Sequence, residues 1–111
     1  MDVDTRKQGS VTVVAVTGKL DAVTSPAFEQ QVRETVNAGN HAIVVDLARL
    51  DYISSAGLRA LLVLAKQVKA KGGKACLANV SGDVRSVFEM SGFGAIFELV
   101  DSVAIGVETV G

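Results

Sequence analysis

Ala42-Ile-Val-Val-Asp-Leu47, then Ala48-Arg-Leu-Asp-Tyr-Ile53, then Ser54-Ser-Ala-Gly-Leu-Arg59, is the stretch that decides the fold. Its first six residues are a nearly continuous apolar run, the pattern of a strand covered on both faces. The run ends in acidic and polar residues, a short loop follows, and two serines stand where a helix begins. From there Leu58, Leu61, Leu62, Ala65 and Val68 fall on one stripe until Gly72-Gly73 stops the helix. A doubly covered strand that feeds a helix is the repeating unit of a parallel sheet.

Outward from this unit the alternation continues. Val11 to Thr17 is β-branched and partly alternating, which predicts a strand, and residues 1 to 8 add a short antiparallel edge strand. Ser25-Pro26 predicts a helix start, with Ser25 as N-cap and Pro26 in the first turn. Phe28, Val32 and Val36 form its apolar face, and Asn37-Ala-Gly-Asn40 ends it. On the other side, Lys74 to Asn79 reads as a strand. Ser81 caps a short helix carrying Val84, Val87 and Phe88, closed by Gly92. Ala95 to Val100 reads as a last strand. Asp101 or Ser102 caps a terminal helix with Val103 and Val107, weakened by Gly106.

The order predicts one α/β domain over residues 1–111: a mixed, mostly parallel sheet of four or five strands packed with about four helices. Partners and ligands of such sheets meet the carboxyl ends of the strands. Those ends are Gly18–Asp21, Asp46–Ser55 and Asn79–Gly82.

Composition narrows the function. Of 111 residues 49% are hydrophobic, enough for a core without metal or disulfide. Eleven basic against twelve acidic residues leave a net charge of −1, which argues against a nucleic-acid binder. One cysteine and one histidine exclude multi-cysteine and multi-histidine metal sites. Neither a signal peptide nor a membrane segment is legible, so the expectation is a cytoplasmic protein with Cys76 reduced and no direct membrane insertion.

The chemistry concentrates at Ser54 and Ser55. Free N–H groups and the dipole at a helix start favour an anion, so a phosphate on a serine there is stabilised by its own backbone. Gly57 removes a side chain from the first turn and lets another backbone approach. By spacing alone, the commoner reading is that Ser54 is an ordinary N-cap and Gly57 a packing choice, since serine caps are very common.

Together these residues resemble a known family. Val45-Asp-Leu47 with Tyr52-Ile-Ser-Ser-Ala-Gly-Leu58 is similar to the signature of STAS domains, the sulfate-transporter and anti-sigma-factor-antagonist family. A second block, Gly18-Lys-Leu-Asp-Ala-Val-Thr-Ser-Pro26 followed by Phe28-Glu29, resembles the start of the family's first helix. Within the family the chain most resembles the small bacterial anti-sigma factor antagonists. The resemblance implies a non-enzymatic partner switch. The unphosphorylated antagonist binds an anti-sigma factor that is also a serine kinase, releasing a sigma factor or other target. The kinase phosphorylates the antagonist on the matching serine, here Ser55, and a serine phosphatase reverses this. Ser54 stands where the family often has Asp, which makes it the second candidate acceptor.

The expected partner-binding residues are Asp21, Ser54, Ser55, Gly57, Arg59 and Val63. Arg59 and Val63 are assigned to the solvent side of the helix, with Lys66 and Gln67. Asp21 either serves the Ser55 site or caps the first helix, and Asp46 hydrogen-bonds loop amides. Lys66, Lys69, Lys71 and Lys74 read as cations at a helix C-terminus, and His41 has no metal partner. Cys76, Phe88 and Met90 read as core. No catalytic residue, metal or cofactor is expected, since no general base accompanies Ser55. A monomer is expected, with a weak dimer as the alternative. The competing readings are a STAS regulatory or structural subunit of a membrane transport system, and a small-molecule sensor.

Overall fold

The valine-rich strands dictate the centre of the molecule, because β-branched side chains pack well on both faces of a pleated sheet. A computed structural model describes residues 1–111. Its elements run β1 (Asp2–Gln8), β2 (Val11–Leu20), α1 (Ser25–Asn37), β3 (Ala42–Ile53), α2 (Ser55–Ala70), β4 (Lys74–Ala78), α3 (Gly82–Ser91), β5 (Leu99–Val100) and α4 (Val103–Val110). The strands lie side by side in sequence order. β1 is antiparallel to β2 and every other pair is parallel. The architecture is thus the expected mixed five-stranded sheet with four helices.

Alternation along the strands divides the apolar residues between two faces. Val14, Val16, Ile43, Val45, Leu47 and Leu77 join the larger core with Phe28, Val32, Leu58, Leu61, Leu64 and Phe88 from α1, α2 and α3. Val11, Val13, Val44, Cys76 and Ala78 face the other way and meet Val110, Val103 and Val107 of α4. One face therefore carries three helices and the other only one short helix.

Several expectations are corrected. β3 does not stop at Leu47 but runs to Ile53, and its register with β2 shifts twice, between Ala15 and Thr17 and between Gly18 and Lys19. Extra residues in one strand bend it and rotate the next side chains. That is why Leu47, Leu50 and Ile53, three apart, all reach the larger core. The N-cap of α1 is Thr24, with Ser25 in the first turn. The last strand shrinks to Leu99–Val100, because Phe93–Ala95 forms a 3-10 turn that presses Phe93 and Phe97 edge to face. Met90 is 87% exposed rather than core, since Phe88 already fills the inward position of α3. On α2, Ala60 and Leu64 are fully buried, while Leu62 and Ala65 are half-buried. Gly106 has a packing reason that offsets its low helix propensity: a Cβ there would lie 2.9 Å from Val44 Cγ1 and 3.1 Å from Cys76 Sγ.

Candidate functional site

The site grows from the junction between β3 and α2. Ser54 is extended (φ −99°, ψ 176°), and its Oγ accepts the Gly57 N–H at 3.3 Å. Ser54 also fixes the junction through its backbone, donating its N–H to the Leu20 carbonyl at 3.0 Å. Gly57 packs against that same carbonyl, which a Cβ at position 57 would strike. The end of β2 and the start of α2 are therefore held together, and the two sequence blocks form one locus.

Ser55 is the first residue of α2 and is exposed. Its hydroxyl has no hydrogen-bond partner, whereas the half-buried Ser54 hydroxyl is engaged as a cap. A group attached to Ser55 Oγ would sit beside the positive end of a sixteen-residue helix. Arg59 is exposed one turn further along. Val63, expected on the solvent side, is only half-exposed, because α2 is covered more broadly than its stripe of leucines indicates.

Asp21 follows β2 directly. Its Oδ1 accepts the N–H groups of Val23 at 3.0 Å and Thr24 at 3.1 Å and lies 3.2 Å from Thr24 Oγ1. The Thr24 backbone N–H foremost, aided by the Thr24 hydroxyl, the Val23 N–H and the charge of Lys19, holds this carboxyl below its ordinary value against a smaller desolvation. Asp21 thus orders the turn into α1, and no bond joins it to Ser55. Asp46 accepts the Ala48 N–H at 3.1 Å and Asn79 Nδ2 at 2.9 Å, tying the β3 bend to the end of β4. Asn79 is the one non-glycine residue with positive φ, 61°, a conformation asparagine tolerates better than most.

Two apolar side chains at this end escaped sequence reasoning. Val23 is 87% exposed in the turn after Asp21, and Tyr52 is 50% exposed, opposite Lys19 in the sheet. The available signal was their position beside the two blocks, at strand ends where no helical or alternating pattern buries them. A shallow polar cleft of about 360 Å³, lined by Asn79, Ser81, Arg85 and Asp101 among others, opens at the end of β4 and does not include Ser55. No helix is long and apolar enough to cross a membrane.

Comparison with known proteins agrees with this geometry. The STAS domain family matches residues 2–105. BtrV of Bordetella bronchiseptica, which carries the name of an anti-sigma factor antagonist, is 39% identical over 90 residues, covering 81% of this chain and 78% of that one. Among solved structures, an anti-sigma factor antagonist from Mycobacterium paratuberculosis superposes with a TM-score of 0.88 at 24% identity, covering 98% of this chain and 92% of that one. The anti-sigma factor antagonist SpoIIAA in its unphosphorylated form gives a TM-score of 0.74 at 20% identity, covering 97% and 96%. With a family match over almost its whole length and the signature serines in place at the head of α2, the chain belongs to the STAS domain family, among the anti-sigma factor antagonists.

Proposed function

We propose that this chain is a phosphorylation-controlled partner switch whose acceptor is Ser55. In its unmodified state it binds an anti-sigma factor that is also a serine kinase and thereby frees a sigma factor or another target. Phosphorylation of Ser55 ends the complex, and a serine phosphatase restores it. The reading places both events in the cytoplasm and gives the chain no catalytic step of its own.

The observation that carries the reading is the different condition of the two hydroxyls. Ser54 Oγ is committed to the Gly57 N–H, and Ser55 Oγ is exposed and unbonded. A kinase can reach the second without unravelling the helix cap. The phosphate would add a charge of about −1.5 to −2 to an end of the molecule that already holds Asp21 and Asp51. A partner fitted to the neutral serine would then face an uncompensated charge, a kind of mismatch that costs several kcal/mol.

The test is a pull-down from the source cells with intact-mass and fragment analysis, repeated with Ser55→Ala and Ser55→Asp. The expected result is a co-purifying kinase, one phosphate on Ser55, an unphosphorylated Ala variant that still binds, and an Asp variant that binds at least about tenfold more weakly. Phosphate confined to Ser54 would move the acceptor, and equal binding by all three proteins would defeat the switch.

A further inference from the structure

The sheet has one long free edge. β5, at the opposite side, is two residues long. β1 is seven residues long, and along it only Val3 is partly covered. Its pairing with β2 runs unbroken from Asp2↔Thr17 to Gln8↔Val11 and closes through Gly9-Ser10. The φ of 64° at Gly9, first of the two turn residues, fits a type II′ turn. Such a turn closes on a hydrogen-bonded pair, so the backbone groups of Gln8 face β2, and by alternation so do those of Arg6, Asp4 and Asp2. Val3, Thr5 and Lys7 turn their N–H and C=O groups outward. Val3 packs on the larger core, so Thr5 and Lys7 share its face and Asp2, Asp4 and Arg6 stand on the other.

We propose that this edge pairs antiparallel with the same edge of a second copy of the chain, about a two-fold axis at Thr5. In that register Thr5 faces Thr5 of the second copy, and Val3 faces Lys7. Each outward N–H then meets an outward C=O. Asp4 faces Arg6 twice, in the positions that lack backbone bonds, where opposed side chains come closest. Neither side chain has an ion partner within its own chain, whose salt bridge is Arg85–Glu89.

The charges select the register. A slide of one residue sets outward backbone groups against inward ones. A slide of two residues restores that match but puts Asp4 against Asp4, or Arg6 against Arg6. Charged residues on an edge strand ward off indiscriminate pairing. Here their order, acid before base around Thr5, admits a copy of itself. The contact is isologous and closes at two chains. Ser55, at the carboxyl end of β3, lies off this edge, so the inference stands independently of the switch.

Sedimentation equilibrium of the full untagged chain over a wide concentration range tests it. The expected result is a reversible monomer–dimer equilibrium. Asp4→Arg and Arg6→Asp should each weaken it by about tenfold or more. The double variant Asp4→Arg/Arg6→Asp should recover it. An equimolar mixture of the two single variants should associate more strongly than either alone. Thr5→Pro, which removes an outward N–H and spares the ladder to β2, should abolish it. Circular dichroism of each variant checks that the exposed changes leave the fold intact. A chain that stays monomeric throughout, a dimer indifferent to both reversals, or a mixture that fails to associate overturns the proposal. So does a chain that refuses its own copy yet takes an unrelated extended peptide on this edge.

Discussion

At the scale of single residues, neighbouring serines do different work because the helix start treats them differently. Ser54 closes an otherwise unsatisfied N–H at Gly57, and Ser55 closes none. Ser54→Ala should therefore cost about 1 kcal/mol of stability, while Ser55→Ala should change it by less than about 0.5 kcal/mol. Urea unfolding of the two variants checks this, and the reverse order would mean that the caps are misassigned. Sequence spacing brought out the pair and offered Ser54 as the cap, but not that its oxygen is taken up by the Gly57 N–H while the Ser55 oxygen is left without a partner, because hydrogen bonds are not written in a linear pattern. Asp21 was undecided in sequence. Its role in the turn became legible only from three donors in its own loop converging on one oxygen. Met90 was misread for a related reason: apolar character states a preference for burial, and Phe88 had already taken the inward position of α3.

At the scale of elements, the alternation of strand and helix was legible because the apolar period changes visibly from run to stripe. The part of β3 beyond Leu47 was not, because Ala48-Arg-Leu-Asp-Tyr-Ile53 keeps neither period. Its register shifts place Leu50 and Ile53 in the core at a spacing that belongs to no regular strand. Bulges of this kind depend on what the neighbouring strand offers, which a linear reading does not contain. The 3-10 turn at Phe93–Ala95 was likewise hidden, since an apolar run of that length suits a strand equally well. Gly106 supplies the converse lesson. Propensity alone says that Gly106→Ala should stabilise α4 by about 1 kcal/mol. The new methyl would instead press on Val44 and Cys76, and crowding of that kind costs about 1–3 kcal/mol. The expected outcome is a net loss, seen as a lower melting temperature. A gain would mean that α4 can lift without penalty.

At the scale of the whole molecule, the proposed switch serine and the lysines Lys71 and Lys74 lie at opposite ends of α2. Ser55 and Arg59 lie at the carboxyl ends of the parallel strands, with Val23 and Tyr52 exposed at the same end, while Lys71 and Lys74 lie at the other. Arg59→Glu should weaken capture of the kinase by about tenfold or more, and Lys71→Glu should leave it within about twofold, both measured by titration with folded proteins. A larger effect from Lys71 would put the interface at the wrong end. The two faces of the sheet are also unequal. The side under α1, α2 and α3 holds the larger core, and the other is closed by eight residues of α4. A helix that short does not persist unsupported, so α4 is ordered only while it is docked. Beneath it lies Cys76, whose thiol burial, with some help from Glu98, pushes up to about 11. While α4 is seated, that sulfur is both shielded and protonated. It can meet a thiol reagent only when the helix lifts. The speed at which Cys76 is labelled is therefore a clock for the opening of that face of the sheet.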